Sequence, residues 1–332
     1  MLEKYRLLAQ KFNIRESIFL APMDLVSGGA LASAVSAAGG LGLIGGGYGN
    51  ESWLNGEFEA AAGAHVGVGF ITWSLARNPR LLDVALEHKP AAVMLSFGDA
   101  APHLEKIKRA GIFSICQVQT AAMAREAVQH GADVVVAQGA EAGGHGVACG
   151  SMSLIPTVVD AVGDKAPVIA AGGIADARGV VAALALGASG VLMGTRFYAT
   201  EEAIAHSDAK RRIVEARGGE ATVRGIVCDI ARNNVWPAPF TGRVLRNEFL
   251  DQWAGREREL MQLHTTEGKR YADARFSNDF DTAAVIAGEA CGLIGQVMPA
   301  AEVVRTIVDD MTRILGLTPR HCGRTSAEEA TV

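Results

Sequence analysis

The sequence predicts an α/β chain folded as a (β/α)8 TIM barrel, with a mainly helical segment inserted late. Two observations carry this. Short apolar, β-rich runs begin near Ile18, Leu41, Val66, Ala91, Ile112, Asp133, Pro167 and Gly190, spaced 23, 25, 25, 21, 21, 34 and 23 residues apart. They are apolar throughout rather than alternating, as strands buried on both faces are. A doubly wound open sheet is the competing architecture, and eight regular repeats favour the barrel.

In chain order, IFLA from Ile18 runs into Ala21-Pro22-Met23, and LGLI from Leu41 into Gly45-Gly46-Gly47. VGVGF from Val66 ends in Gly69-Phe70. Asn78-Pro79 then offers an N-cap followed by proline at the first helical position. AAVMLSF from Ala91 and IFSICQ from Ile112 follow, the latter ending near Gln117. Thr120 is placed to cap AAMAREAVQH, which stops at Gly131, where a left-handed C-terminal cap is expected. DVVVAQ from Asp133 runs into Gln138 and the loop to His145. PVIAA from Pro167 ends in Gly172-Gly173, and Asp176 then caps ARGVVAALAL up to Gly187. GVLM from Gly190 ends in Met193-Gly194-Thr195.

After Arg196 the repeat stops. The expected division is a barrel of residues 1–202 and 282–318, a mainly helical insertion at 203–281, and a polar tail at 319–332. DTAAVIAGEACGLIG from Asp281 and PAAEVVRTIVDDMTRIL from Pro299 read as amphipathic helices that complete the barrel.

Composition excludes several classes. The 332 residues include 39 glycines, about 12% against roughly 7% in average proteins. The glycines have no three-residue period, and 49% of the chain is apolar, so neither collagen nor a disordered chain fits. The net charge is −5 and no Lys/Arg block suggests a nucleic-acid footprint. Arg211-Arg212, the densest basic spot, reads as a solvated helix face. Five scattered cysteines without a CxxC pair fit reduced thiols. The N-terminus carries Glu3, Lys4 and Arg6 and does not read as a signal peptide. The glycine-broken stretch Val180–Thr195 is shorter than the ~20 residues of a membrane span. A cytoplasmic protein with no membrane partner is expected.

Barrel active sites lie at the C-terminal strand ends, and loops after the last two strands commonly cradle a phosphate. Gly172-Gly173 and Gly194-Thr195 fit that pattern, since glycines let backbone N–H groups approach an anion. Two tight turns would give the same letters. The 34-residue spacing falls where His145 lies, and a long loop after a barrel strand is more often functional than neutral. A lone histidine is more often structural, so position alone leaves both readings open. Glu141 is either a carboxylate partner for His145 or the partner of a nearby cation. No HxH or HExxH pattern suggests a metal, and no GxSxG elbow suggests a serine hydrolase.

These letters resemble the nitronate monooxygenase family over nearly the whole chain. The resemblance rests on Ala21-Pro22-Met23, AAGGLGLIGGG, QGAEAGGHG (Gln138 to Gly146), AAGGIADARG, MGTRF (Met193 to Phe197) and AGEACGLIGQVMPAAEVV. It implies an FMN-dependent barrel that oxidises alkyl nitronates with O2 to a carbonyl compound and nitrite. It implies that Gly173, Gly194 and Thr195 hold the FMN phosphate, and that Pro22, Met23, Gln138 and Gly143 line the flavin. Ala21, Gly69, Gln117, Gly144, Gly172 and Met193 complete the candidate cofactor set. His145 matches the family's active-site histidine, as acid/base or as the group that binds the nitronate.

Two departures stand out. Many members carry asparagine where Gly69 stands, and some carry lysine where Gln117 stands. The competing function is a flavin-dependent NAD(P)H reductase of quinone or enoyl-acyl-carrier-protein type. A non-enzymatic phosphate-ligand binder is the second alternative. Trp236 and Phe240 either wall a substrate cleft or pack in a core. A homo-oligomer is allowed but not indicated.

Overall fold

The computed structural model describes residues 1–234 and 236–317. Its strands are β1 (Ile18–Leu20), β2 (Leu43–Gly45), β3 (Gly67–Ile71), β4 (Ala92–Ser96), β5 (Phe113–Val118), β6 (Val134–Gln138), β7 (Gly144–Gly146), β8 (Val168–Ala171), β9 (Gly190–Met193), β10 (Thr222–Gly225) and β11 (Thr241–Leu245). All but β7, β10 and β11 form one parallel sheet in the order β1-β9-β8-β6-β5-β4-β3-β2. The two ends meet where Phe19 bridges Leu41 in parallel. Leu41 N–H donates to the Ile18 carbonyl and Leu20 N–H to the Leu41 carbonyl, each at 3.0 Å. The sheet thus curls into a barrel, and each of its eight strands begins within two residues of a predicted apolar run.

The buried runs serve two faces. Phe19, Leu43, Met94, Ile115, Val136, Ile169 and Leu192 fill the barrel interior. Their alternating neighbours, including Ile18, Val93, Cys116, Val135 and Val191, face the surrounding helices. The N-terminal helix Leu2–Lys11 leads to the plug: Leu8 and Phe12 join the interior cluster, and Phe12 meets Phe19 and Phe113 edge-on. Full burial of such side chains contributes about 1.5–3 kcal/mol each.

Local signals act as the letters suggest. Thr120 Oγ1 accepts from the Met123 N–H at 3.2 Å, and Asp176 Oδ1 from Arg178 and Gly179 at 2.9 and 3.3 Å. Gly131 and Gly187 follow their helices at φ +95° and +98°. Pro79 stands one position earlier than expected, as the N-cap of helix Arg80–Glu87. Arg211 is exposed and paired with Asp208 and Glu215 on its own helix.

Residues 203–281 form the helices Ser207–Glu215, Val227–Ala231, Glu248–Trp253, Glu257–Gln262 and His264–Ser277, together with β10 and β11. Val227, Phe249, Leu250, Trp253, Leu260 and Tyr271 form their own apolar cluster. The antiparallel sheet β10-β11-β7 takes its third strand from the loop after β6, placing Gly242 opposite His145.

One expectation is corrected. The stretch from Asp281 is not an amphipathic α-helix; it crosses the barrel mouth in an irregular path with one 3-10 turn, Glu289–Leu293. Backbone contacts hold it: Glu289 N–H donates to the Glu141 carbonyl at 2.9 Å, and Gly288 N–H to Thr195 Oγ1 at 2.9 Å. A Cβ on Gly288 would stand 2.5 Å from that Glu141 carbonyl oxygen. The last helix, Ala300–Ile314, forms and packs against helices Gly29–Ala37 and Ala177–Ala185. The proposed tail at 319–332 lies outside the described residues. Among the described residues no helix is long and apolar enough to cross a membrane, and Cys116, Cys149, Cys228 and Cys291 are unpaired.

Candidate active site

A cavity of about 430 Å³ opens at the C-terminal ends of the barrel strands, within the size range of small-ligand and cofactor sites. His145 and every candidate cofactor residue drawn from the sequence line it. Ala21, Pro22 and Met23 come from the end of β1, and Gly69 from β3. Gln117 and Gln138 come from β5 and β6, and Gly143, Gly144 and His145 from the following loop. Gly172 and Gly173 follow β8, while Met193, Gly194 and Thr195 close β9.

The ends of β8 and β9 present a donor set. Gly172 and Gly173 hold φ of +101° and +74°, which L side chains rarely adopt. The N–H groups of Gly173, Gly194 and Thr195 make no hydrogen bond among the described residues. Thr195 Oγ1 accepts from Gly288, so its own proton is left to give. Unpaired N–H groups facing a cavity suit an anion such as a phosphate. Arg196 does not take part: it is buried, donates to the Ala199 and Gln296 carbonyls, and its pKa is lowered by burial to about 10.

A chain of glutamines supports the next wall. Gln117 and Gln119 both donate to Gln138 Oε1, at 3.1 and 2.8 Å, and Gln138 Nε2 donates to the His145 carbonyl at 3.0 Å. Two arginines tie down the same loop. Arg224 donates to the Ala140 and Ala142 carbonyls, and Arg243 donates to Ala140 and pairs with Glu289. Burial and the neighbouring Arg243 lower the Arg224 pKa to about 10.

Gly69 has a packing reason that the sequence did not reveal. A Cβ there would lie 2.2 Å from Pro22 Cγ. The proline ring occupies the space that a side chain on residue 69 would need.

His145 is 8% exposed. Its Nε2 lies 2.9 Å from Asp229 Oδ2, and the other Asp229 oxygen accepts from Arg232 at 2.7 Å. The ring stacks face to face on Trp236, with centroids 3.4 Å apart and planes 4° apart. Trp236 Nε1 donates to the Tyr48 hydroxyl at 3.1 Å. Burial lowers the His145 pKa; Asp229 opposes that shift, and Arg232 and Arg224 add to it. The residue is therefore a neutral imidazole at neutral pH.

Glu141 takes neither expected role. Its carboxylate accepts from the Ser151 N–H and Oγ at 2.8–3.0 Å, at the start of helix Ser151–Val162. The carboxylate partner of His145 is Asp229, 84 positions away. No local pattern could have found it. Asp24 was also missed: it lines the cavity four positions past the end of β1, with its pKa raised by burial against the pull of Arg232 and Arg275. Of the two aromatic candidates, Trp236 walls the cavity, whereas Phe240 packs behind it on Phe97.

Comparison with known proteins gives the same direction. The family model for nitronate monooxygenase matches residues 50–310. A nitronate monooxygenase of Neurospora crassa is 35% identical, over 88% of each chain. Among solved structures, nitroalkane oxidase from Streptomyces ansochromogenes superposes with a TM-score of 0.80 at 25% identity, covering 93% of this chain and 99% of that one. FabK from Thermotoga maritima superposes with a TM-score of 0.79 at 29% identity, covering 93% and 96%.

Proposed function

The chain belongs to the nitronate monooxygenase family, a family of flavoenzymes, and from that premise we propose that it oxidises alkyl nitronates with O2 to a carbonyl compound and nitrite, using FMN. The observation that carries this reading is that one cavity holds both the unpaired N–H donors and a buried histidine. Bound FMN supplies the electron and oxygen chemistry, and the protein supplies position and electrostatics.

Each group of residues then has a task. Gly173, Gly194 and Thr195 donate to the FMN phosphate. Ala21, Pro22, Met23, Gly69, Gly143, Gly144, Gly172 and Met193 leave room for a flat ligand and line it. Gln117 and Gln138 fix the wall beneath the loop that carries His145. His145 meets the substrate, either binding the nitronate oxygen or taking the α-proton of a neutral nitroalkane as general base. Trp236 covers one face of the imidazole and keeps water from it.

Anaerobic mixing of the purified yellow protein with preformed ethyl nitronate, NADH or NADPH tests this. Bleaching of the flavin by nitronate, with nitrite released on admitting air, is the expected result. Rapid bleaching by a nicotinamide and none by nitronate would favour the NAD(P)H reductase. A colourless protein that does not take up FMN would overturn both.

A further inference from the structure

We propose that Asp229 is a positioning residue: it holds His145 as the Nε2–H tautomer, so that an unprotonated Nδ1 is the nitrogen offered to the substrate. This rests on the reading above only in that His145 meets the substrate.

The geometry fixes the proton. A carboxylate is acceptor-only, so the 2.9 Å contact with Asp229 Oδ2 requires Nε2 to donate. Asp229 is itself buried, and Arg232 holds its second oxygen at 2.7 Å. That contact keeps the carboxylate aimed. Nδ1 has no hydrogen-bond partner among the described residues. Asp229 does not line the main cavity; it borders a smaller chamber of about 130 Å³ that shares His145 with it. The Nε2 edge of the ring is thus committed to the chamber side.

Packing also holds the ring and its backbone in place. Trp236 stacks on one face. The backbone is pinned by β11 and by Gln138. Gly242 stands opposite His145 in the ladder, close enough that a Cβ there would touch Nε2 at ordinary contact distance, 3.5 Å. The charged groups acting on the ring are Asp229 and Arg232, at and just after helix Val227–Ala231, and Arg224 from β10. Of these, only Asp229 favours the imidazolium.

Two measurements decide it. In holoprotein carrying ¹⁵N-labelled histidine, with His145→Asn used for assignment, the long-range ¹H–¹⁵N spectrum should show His145 as the Nε2–H tautomer at pH 7.5. An Nδ1–H tautomer would overturn the assignment. In Asp229→Asn, kcat/KM for neutral nitroethane should fall by roughly 10²-fold, and its ascending pH limb should move to lower pH, because the one group that supports the imidazolium is neutralised. Asp229→Glu should move the limb back towards wild type. Flavin content, read from the visible spectrum, should stay constant. A slower Asp229→Asn enzyme with an unmoved limb and an unchanged tautomer would reduce Asp229 to a structural residue and overturn the proposal. A wild-type enzyme without turnover on nitroalkane or nitronate would sink the proposed function; the tautomer spectrum would still decide the role of Asp229.

Discussion

A buried neutral imidazole makes His145 sensitive to acid in a calculable direction. Its pKa in the fold lies below the ordinary value near 6.5, chiefly because of burial. As pH falls through about 6.5, the unfolded chain takes up a proton that the folded chain resists. The stability is therefore complete above that pH and is lost as pH falls towards the folded pKa. His145→Asn should keep its flavin, lose most of its turnover with neutral nitroethane (roughly 10²–10⁴-fold), and show a smaller loss of stability between pH 8 and pH 5. Unchanged turnover would remove His145 from the mechanism. Gly69 gives a second test at this scale. A Cβ 2.2 Å from Pro22 Cγ must displace the proline ring. Overpacking of this kind costs about 1–3 kcal/mol, so Gly69→Ala should lower the midpoint in urea and weaken FMN retention together. A variant as stable as the wild type would show that Pro22 yields freely.

Among the elements, the loop from Gly139 to His145 depends on groups from distant segments. Glu141 caps helix Ser151–Val162, Arg224 and Arg243 hold carbonyls of Ala140 and Ala142, and Glu289 N–H holds the Glu141 carbonyl. Glu141→Ala should cost about 1 kcal/mol, as lost N-terminal caps do, while leaving the pH limb of turnover where it was. A shifted limb would mean that Glu141 acts on His145 after all. The same loop shows what was legible in the sequence. Each barrel strand was readable because its apolar run is buried on both sides, and the Thr120 and Asp176 caps because their partners lie two or three residues away. Gly144–Gly146 has no strand propensity of its own; it is a strand because β11 pairs with it. Asp281–Gly295 carries a helical apolar pattern, yet Gly288 and Gly292 answer to close approaches of the Glu141 and Gly218 backbone. Asp229 was invisible because the fold brings it to His145 over 84 positions of sequence.

On the scale of the whole molecule, the cavity belongs to two parts of the chain at once. The barrel supplies the strand ends, and residues 203–281 supply Arg232, Trp236, Arg275, Asn278 and Phe280. An apolar cluster crosses the same boundary, joining Ala175 and Tyr198 to Ile213, Leu245, Val285 and Cys291. A ligand filling this cavity binds the folded arrangement and not the unfolded chain, so it must stabilise both parts. At 100 times its dissociation constant, FMN should add about 2.7 kcal/mol to the stability of the stripped protein. Hydrogen exchange locates that gain. Slowed exchange is expected at Gly173, Gly194 and Thr195, where the unpaired N–H groups gain a partner, and also in β10, β11 and the segment Asp281–Leu293 that they hold over the mouth. Protection confined to the barrel strand ends would mean that residues 203–281 open independently of the cofactor. The glutamine and arginine supports of the His145 loop would then serve the substrate alone.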